Sequence, residues 1–214
     1  MKETIGIIGV TGDLGSQLKE RLVSTGFNVL GFSRSSASTN LDEIAHECDI
    51  IHVCAPVSSL ANLPKTDAIV VLHDSVMNTS RQAGSRYLDG QATVVHMLMN
   101  DHQTVVIASD APHHDQITAH FAFAGYSPYS MTIDEHDYMI ARSQAPLALL
   151  CKTVLPYLYE KADQGLLTPS GQLLADTLRS RELVWTDATI RSVLNNPQLS
   201  TLINEMQNTL RKYQ

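Results

Sequence analysis

A glycine-rich segment near the start of the chain restricts the possible folds more than any other feature. It lies between an apolar run, Thr4–Ile8, and an amphipathic pattern, Leu14–Thr25. The segment reads Gly9-Val10-Thr11-Gly12-Asp13-Leu14-Gly15, with the spacing G-x-x-G-x-x-G. Gly12 lets the backbone approach a pyrophosphate, Gly15 permits close packing of helix on strand, and the helix N-terminus offers N–H groups to an anion. The segment therefore predicts a dinucleotide-binding turn, the alternative being a glycine turn in an α/β fold without a nucleotide.

Short apolar runs alternate with helical patterns through the first half of the chain. The further strand-like runs are Asn28–Phe32, Asp49–Cys54, Ala68–His73, Ala92–Met97 and Thr104–Ala108, and the further helical patterns are Leu41–Glu47 and Val57–Leu63. The Val and Ile residues of these runs do not alternate with polar ones, which is typical of strands buried on both faces of a parallel sheet. Residues 1–128 are therefore predicted to form an α/β Rossmann domain with a doubly wound, mostly parallel sheet.

The pattern changes after Pro128. Apolar residues then recur with helical periodicity in Asp134–Tyr159, Gly171–Arg181, Thr186–Leu194 and Pro197–Tyr213. We expect residues 129–214 to form a smaller, all-α domain that binds substrate. Because so few helices cannot cover one another's apolar faces, we also expect a homodimer joined through this domain.

The residues after the second strand bear on the choice of cofactor. NAD sites usually place a carboxylate there to bind the ribose 2′-hydroxyl. This chain instead has Ser33-Arg34-Ser35, and a guanidinium flanked by hydroxyls is suited to a 2′-phosphate. The sequence thus predicts NADP, with a solvated serine-rich loop as the alternative, and we assign Ala55 and Pro56, after the third strand, to the same cofactor site.

Composition excludes several classes of partner. The net charge is −7, from 15 Lys and Arg against 22 Asp and Glu, which argues against nucleic acid or an anionic membrane. No apolar run approaches the ~20 residues of a membrane helix, and the chain opens directly into a strand pattern. Its three cysteines lack metal-type spacing. We expect a cytoplasmic protein with reduced thiols and a small-molecule substrate.

Two polar side chains follow the fourth strand and end the fifth. His96 lies where open α/β sheets bind ligands, and a neutral imidazole there can accept a proton from a substrate hydroxyl, although a lone histidine at a strand end is more often structural. Ser75 is placed to orient His96 or to bind substrate, although capping a turn would also explain it. The histidines His113, His114 and His120 have no cysteine or carboxylate cluster beside them, so we expect no metal site.

Several segments, in order along nearly the whole chain, resemble the prephenate/arogenate dehydrogenase family of tyrosine biosynthesis. The glycine loop resembles that family's G-x-x-G-x-L-G variant. The other similar segments are Asp74-Ser75-Val76, Val95-His96-Met97-Leu98-Met99, Glu135-His136-Asp137 with Ser143-Gln144-Ala145, and Ile190-Arg191-Ser192 with Asn196-Pro197-Gln198-Leu199. Three positions depart from the family pattern: Met77 replaces a lysine, Met97 a proline and Ala148 a second histidine.

The resemblance implies an NADP-dependent oxidative decarboxylation of prephenate or arogenate. In that reaction His96 would bind and help deprotonate the substrate hydroxyl and Ser75 would orient the pair. Arg191 would bind a substrate carboxylate, and Gln144 would also contact substrate. The glycine loop and Arg34 also resemble deazaflavin-dependent NADP reductases, and the departures at Met97 and Ala148 keep a non-catalytic NADP-binding protein open.

Overall fold

The computed structural model describes residues 3–35, 39–98, 101–182 and 187–212. The chain divides into two compact units, Met1–Ile133 and Asp134–Gln214. The first unit runs beyond Pro128 because a strand, Ser127–Met131, contains that proline and pairs with the sheet.

A seven-stranded sheet forms the centre of the first unit, in the order β2-β1-β3-β4-β5-β6-β7. The strands are β1 Thr4–Ile8, β2 Asn28–Phe32, β3 Ile50–Val53, β4 Ile69–His73, β5 Ala92–Met97, β6 Thr104–Ala108 and β7 Ser127–Met131. Neighbouring strands are parallel except β5 and β6. Every residue of β3, β4 and β5 is buried, as their unbroken apolar runs indicated. The predicted mostly parallel sheet is confirmed, and β7 adds an edge strand that tolerates Pro128.

Helices cover both faces of this sheet. They are α1 Asp13–Ser24, α2 Leu41–Glu47, α3 Met77–Tyr87 and α4 His114–Phe123, with a 3₁₀ helix at Val57–Asn62. Leu18 of α1 and Phe121 of α4 pack on one face, in the cluster that contains Ile5 and Ile7. Ile44 of α2 packs on the other face with the 3₁₀ helix and α3. The doubly wound arrangement is therefore confirmed.

Two of these helices, α3 and α4, were missing from the sequence prediction. On α3 the buried positions include Ser80 and Gly84, which carry no apolar signal. On α4 the buried residues include His120, whereas Phe123 is exposed, so the apolar periodicity is weak.

The second unit consists of helices. These are α5 Ile133–Ser143, which begins at the unit boundary, α6 Ala145–Thr153, α7 Leu155–Asp163, α8 Pro169–Glu182, α9 Asp187–Leu194 and α10 Leu199–Arg211. The single helix predicted over Asp134–Tyr159 is wrong, because the chain breaks near Gln144 and Val154. Pro146 and Pro156 lie in the first turns of α6 and α7, where a missing backbone N–H costs nothing. Thr186 and Tyr213, at the ends of two predicted segments, lie outside the described residues.

No helix among the described residues is both long and apolar enough to span a membrane. Cys48, Cys54 and Cys151 are free thiols, and Cys151 packs in the core of the second unit.

Candidate functional site

The glycine loop joins the carboxyl end of β1 to the N-terminus of α1. Gly9 has a φ of +89°, a left-handed conformation that glycine adopts without strain. Gly12 is the N-cap of α1, and no side chain caps the first turn of that helix. Thr11, Gly12 and Asp13 are exposed, and Leu14 is half-buried. The uncapped N–H groups and the positive end of the helix dipole make this turn suited to an anionic group.

Two of the loop's contacts explain its glycine spacing. A Cβ on Gly15 would lie 2.2 Å from the backbone oxygen of Gly9, so only glycine allows α1 to pack this close to the loop. A Cβ on Gly12 would meet only that same oxygen, at 3.4 Å, so the outer side of Gly12 is open. Val10, where the common fingerprint has glycine, is buried against Gly31 of β2. A Cβ on Gly31 would lie 2.8 Å from a Val10 methyl, so Gly31 accommodates Val10.

The predicted cofactor residues lie on both sides of this loop, because β1 lies between β2 and β3. The backbone N–H groups of Gly9 and Val10 both donate to the Phe32 carbonyl at the end of β2, and Ser33-Arg34-Ser35 follows directly. On the other side the Cys54 N–H donates to the Ile8 carbonyl, which brings Ala55 and Pro56 beside the loop. The candidate site is therefore the crevice at the carboxyl end of β1, where β2 lies on one side of β1 and β3 on the other. Nucleotides usually bind at this position in such sheets.

Within the 2′-phosphate candidate segment, the three residues have different surroundings. The side chain of Ser33 is buried, and its Oγ lies 3.2 Å from that of Ser35. Arg34 is exposed, and none of the ion pairs between described residues uses its guanidinium. The segment thus presents a cation and hydroxyls beside the glycine loop, with no carboxylate in the positions that NAD sites usually use.

His96 and Ser75 lie at the same edge of the sheet as the glycine loop, because β1, β4 and β5 are parallel. His96 is buried near the end of β5. Ser75 is half-buried in the turn after β4, which is tied to β5 by the bond from the Asp74 N–H to the Val95 carbonyl. The Asp74 carboxylate accepts bonds from the Val76 N–H and the Ser80 hydroxyl, so it fixes the turn that carries Ser75 and starts α3. The structural role of Asp74 was missed in the sequence.

The remaining predicted site residues, Gln144 and Arg191, belong to the second unit. Gln144 is half-buried between α5 and α6, where its backbone carbonyl accepts a hydrogen bond from the backbone N–H of Ala148. Arg191 is exposed on α9. A hydrogen bond from Lys152 lowers the pKa of Asp187, and the charge of Arg191 adds a smaller contribution.

Two of the family-like motifs meet inside the second unit. The His136 Nδ1 and Asp137 Oδ1 atoms are 2.9 Å apart, and both side chains are buried. The Asn196 side-chain amide donates to the Asp137 carbonyl at 2.8 Å. Ala148, where the family has a histidine, is fully buried against Ile190 and Val193. This position is therefore part of the apolar core of the second unit.

The structure also brings together three buried histidines that lie far apart in the sequence. The His52 Nδ1 lies 3.0 Å from the His73 Nε2, and the His52 Nε2 lies 3.1 Å from the His120 Nε2. Burial lowers the pKa of His73 to about 3 and that of His120 to about 4. Burial, reinforced by both neighbours, also lowers the pKa of His52 well below its ordinary value. All three rings are therefore neutral at pH 7.

This histidine cluster, His52, His73 and His120, does not have the geometry of a metal centre. His52 uses its two ring nitrogens toward two different neighbours, so the three rings do not converge on one point. Among the residues that the structure describes, no group of His, Cys, Asp or Glu side chains is arranged to hold a metal ion. No sequence pattern indicates the cluster, because His52 and His73 lie within otherwise apolar strands.

The fold defines an α/β protein of Rossmann architecture with a helical second unit, and its crevice beside β1 is where such sheets usually bind nucleotides. No protein-family model matches the sequence, and no curated protein matches it either. Solved structures do match. The prephenate dehydrogenase of A. aeolicus, in complex with hydroxyphenyl propionate and NAD+, is 14% identical, with 99% of this chain and 89% of that chain covered and a TM-score of 0.76. The arogenate dehydrogenase of Synechocystis is 18% identical, with 99% and 100% covered and a TM-score of 0.63.

A pyrroline carboxylate reductase from Plasmodium falciparum with NADP bound also matches, at 15% identity, with 99% of this chain and 92% of that chain covered and a TM-score of 0.51. At identities of 14–18%, the similarity shows that this chain shares the fold of these proteins. The predicted Rossmann fold is therefore confirmed, and the family to which the sequence motifs are similar is among the proteins that share it.

Proposed function

We propose that this chain is an oxidoreductase that binds a nicotinamide dinucleotide in the crevice beside β1, with NADP preferred over NAD. The observation that carries the proposal is the exposed Arg34 beside an open, uncapped glycine loop. The surroundings of Gly12 fit a bound pyrophosphate, because among the described residues a Cβ there would meet only the Gly9 backbone oxygen, at 3.4 Å. Solved structures with this fold contain NAD+ or NADP, which supports the class of cofactor without deciding between the two.

The choice of cofactor can be tested through Arg34. We expect NADP to bind at least about tenfold more tightly than NAD, a difference on the order of 1.4 kcal/mol. Arg34→Ala should remove most of that preference, because it deletes the charge that pairs with the 2′-phosphate while leaving the pyrophosphate turn intact. Titration calorimetry with both cofactors measures this, and Arg86→Ala, on α3, is the matched control. Equal binding of NAD and NADP by the unaltered chain would contradict the proposal.

We further propose that the reaction is the oxidative decarboxylation of prephenate or arogenate. A nicotinamide dinucleotide held by the glycine loop and Arg34 would supply the acceptor for a hydride from the substrate's hydroxyl-bearing ring carbon. His96 accepts the hydroxyl proton as the carbonyl forms, and the bond to the ring carboxylate breaks to release carbon dioxide and leave an aromatic ring. Ser75 orients His96 and the hydroxyl, and Arg191 and Gln144 bind the substrate. The motif similarity and the shared fold of both dehydrogenases support this assignment.

Mutation of His96 tests the proposed general base. His96→Asn should lower kcat by about 10²–10⁴-fold, because the amide keeps a hydrogen-bonding group but cannot take the proton. The assay follows the reduced cofactor by absorbance with prephenate and arogenate offered separately. His102→Asn, in an exposed turn after β5, is the control and should keep the original kcat. Unchanged kcat in His96→Asn would remove His96 from the catalytic residues.

A second candidate is a non-catalytic NADP-binding protein. The specific observation in its favour is Ala148, which is buried in the helical core where the family has a histidine. In that case calorimetry would show NADP binding but neither prephenate nor arogenate would be turned over. Another NADP oxidoreductase, such as a deazaflavin-dependent NADP reductase, would instead oxidise NADPH with a deazaflavin acceptor.

We also propose a cytoplasmic location and a small-molecule substrate. The free thiols of Cys48, Cys54 and Cys151 support a reducing compartment.

A further inference from the structure

The hydrogen-bonded ladder between β4 and β5 continues one residue beyond the end of β4. His73 and Val95 are opposite each other in its register, and the N–H of the next residue, Asp74, donates to the Val95 carbonyl at 3.2 Å. In a parallel ladder such an N–H bonds to the residue before its partner, so the partner of Asp74 is His96. The two residues therefore lie side by side on neighbouring strands, which are about 4.8 Å apart.

The side chains of Asp74 and His96 lie on the same face of the sheet. Alternate residues of a strand share a face, so Asp74 is on the face of Leu72 and His96 is on the face of Ala92. Leu72 and Ala92 pack in one apolar cluster, together with Ala83 of α3. Both polar side chains are therefore on the face that α3 covers, beside each other at the carboxyl end of β4.

The carboxylate of Asp74 is held in a fixed orientation. Its Oδ1 accepts the Val76 N–H at 3.3 Å, and its Oδ2 accepts the Ser80 hydroxyl at 3.0 Å. Ser80 is fully buried on α3, and Asp74 itself is half-buried. Because this side chain is already ordered, a bond from a neighbouring N–H costs it little further conformational entropy.

Asp74 is also the charged residue that the sheet places next to His96. The neighbour of His96 on the other side is Val106 of β6, which is apolar. On α3, which packs on β5, the charged residues are Arg81 and Arg86, and both are exposed. A carboxylate accepts an imidazole N–H and attracts the ring more strongly once that ring is protonated.

We propose that Asp74 is a positioning residue for His96, whose ring N–H donates to the Asp74 carboxylate. This bond leaves the lone pair on the other ring nitrogen, which is the atom that takes the proton of the substrate hydroxyl. The carboxylate stabilises the imidazolium that forms, and Asp74 stays ionised throughout. The inference rests on the proposed function, in which His96 is the general base.

The variant Asp74→Asn tests the pair kinetically, in the full chain with NADP and with prephenate and arogenate offered separately. We expect kcat to fall at least about tenfold, a part of the 10²–10⁴-fold that a general base supplies, with the Kd of NADP unchanged. Asp67→Asn removes an exposed carboxylate before β4, at the other end of that strand, and should keep the original kcat. Equal kcat values for the two variants would overturn the proposal.

The protonation of His96 tests the pair without any substrate. Histidine side chains labelled with ¹⁵N are followed by NMR from pH 4 to pH 9 in the NADP complex, and the His96 signal is assigned by its loss in His96→Asn. Asp74→Asn should lower the titration midpoint of His96 by about one pH unit, because a nearby opposite charge favours the protonated ring. Ser80→Ala loosens the turn but keeps the carboxylate, so it should leave this midpoint in place.

The NMR measurement separates a positioning role from a merely structural one. If Asp74 only fixes the turn, Asp74→Asn and Ser80→Ala will have the same midpoint as the unaltered chain, and the proposal is overturned. A His96 ring that stays neutral down to pH 4 in the unaltered chain would overturn it as well. If neither substrate is turned over, the proposed dehydrogenase function is wrong, while a shifted midpoint would still establish the pairing of Asp74 with His96.

Discussion

At the scale of single residues, Gly12 and Gly15 are the same residue type with different physical roles. Gly15 is required by the fold, because its Cα faces the backbone oxygen of Gly9. Gly12 has room for a Cβ within the first unit, so the fold does not require glycine there. Its glycine is instead explained by the close approach of a cofactor, which rests on the proposed function.

This difference predicts opposite outcomes for two alanine variants. Gly15→Ala should destabilise the chain by about 3 kcal/mol, because the 2.2 Å contact forces the backbone to move. Gly12→Ala should keep the stability to within about 0.5 kcal/mol and weaken NADP binding. Urea denaturation and cofactor titration measure the two effects. Gly171→Ala, whose new Cβ meets nothing closer than 3.5 Å, is the control for a helical glycine. A Gly15→Ala variant as stable as this control would contradict the packing argument.

At the scale of secondary-structure elements, the histidine cluster joins β3, β4 and α4 across the interior of the first unit. In the folded chain the pKa is about 3 for His73 and about 4 for His120, and burial lowers the pKa of His52 well below its ordinary value, whereas histidines in an unfolded chain bind protons below about pH 6.5. The unfolded state then binds more protons than the native state. The free energy of unfolding must therefore fall as the pH decreases through this window.

The free energy of unfolding should change with pH steeply enough to measure. Each histidine contributes up to about 1.4 kcal/mol per pH unit, so the cluster contributes up to about 4 kcal/mol per unit near pH 5. His120→Phe should reduce the slope by about one third, whatever it does to the stability at pH 7. His46→Gln removes an exposed histidine of α2 and should leave the slope unchanged. Urea midpoints from pH 4.5 to pH 7.5 provide the test, and equal slopes for all three proteins would show that the cluster titrates normally.

At the scale of the whole molecule, the second unit carries many exposed apolar side chains. Tyr157, Leu166, Leu173, Met206 and Leu210 are each at least 46% exposed. Such side chains in a unit of about 80 residues support the proposed homodimer through the C-terminal helices, because small helical units rarely bury enough apolar area alone.

The dimer can be tested at micromolar concentration by light scattering, which should give twice the chain mass of 23.5 kDa. The double variant Leu173→Glu and Leu210→Glu should shift the measured mass toward that of one chain, because burying charged side chains in a dimer interface is unfavourable. Val23→Glu, an exposed site on α1 of the first unit, is the control and should remain dimeric. If the unaltered chain has the mass of a monomer, the homodimer proposal is wrong.

The sequence by itself determined strands β1 to β6 and the glycine turn after β1, because both depend on local patterns. Unbroken apolar runs define strands β1 to β6, and the spacing of Gly9, Gly12 and Gly15 defines the turn after β1. Only the tertiary structure decided features that depend on contacts between distant segments. Helix α3 has no apolar periodicity in the sequence, because some of its buried positions are polar. Pro146 and Pro156 divide one predicted helix into three helices. Gly31 on β2 makes room for the Val10 side chain, which follows β1. The pairing of His52 with both His73 and His120 is of the same kind, since a histidine within an apolar run reveals neither its neighbours nor its protonation.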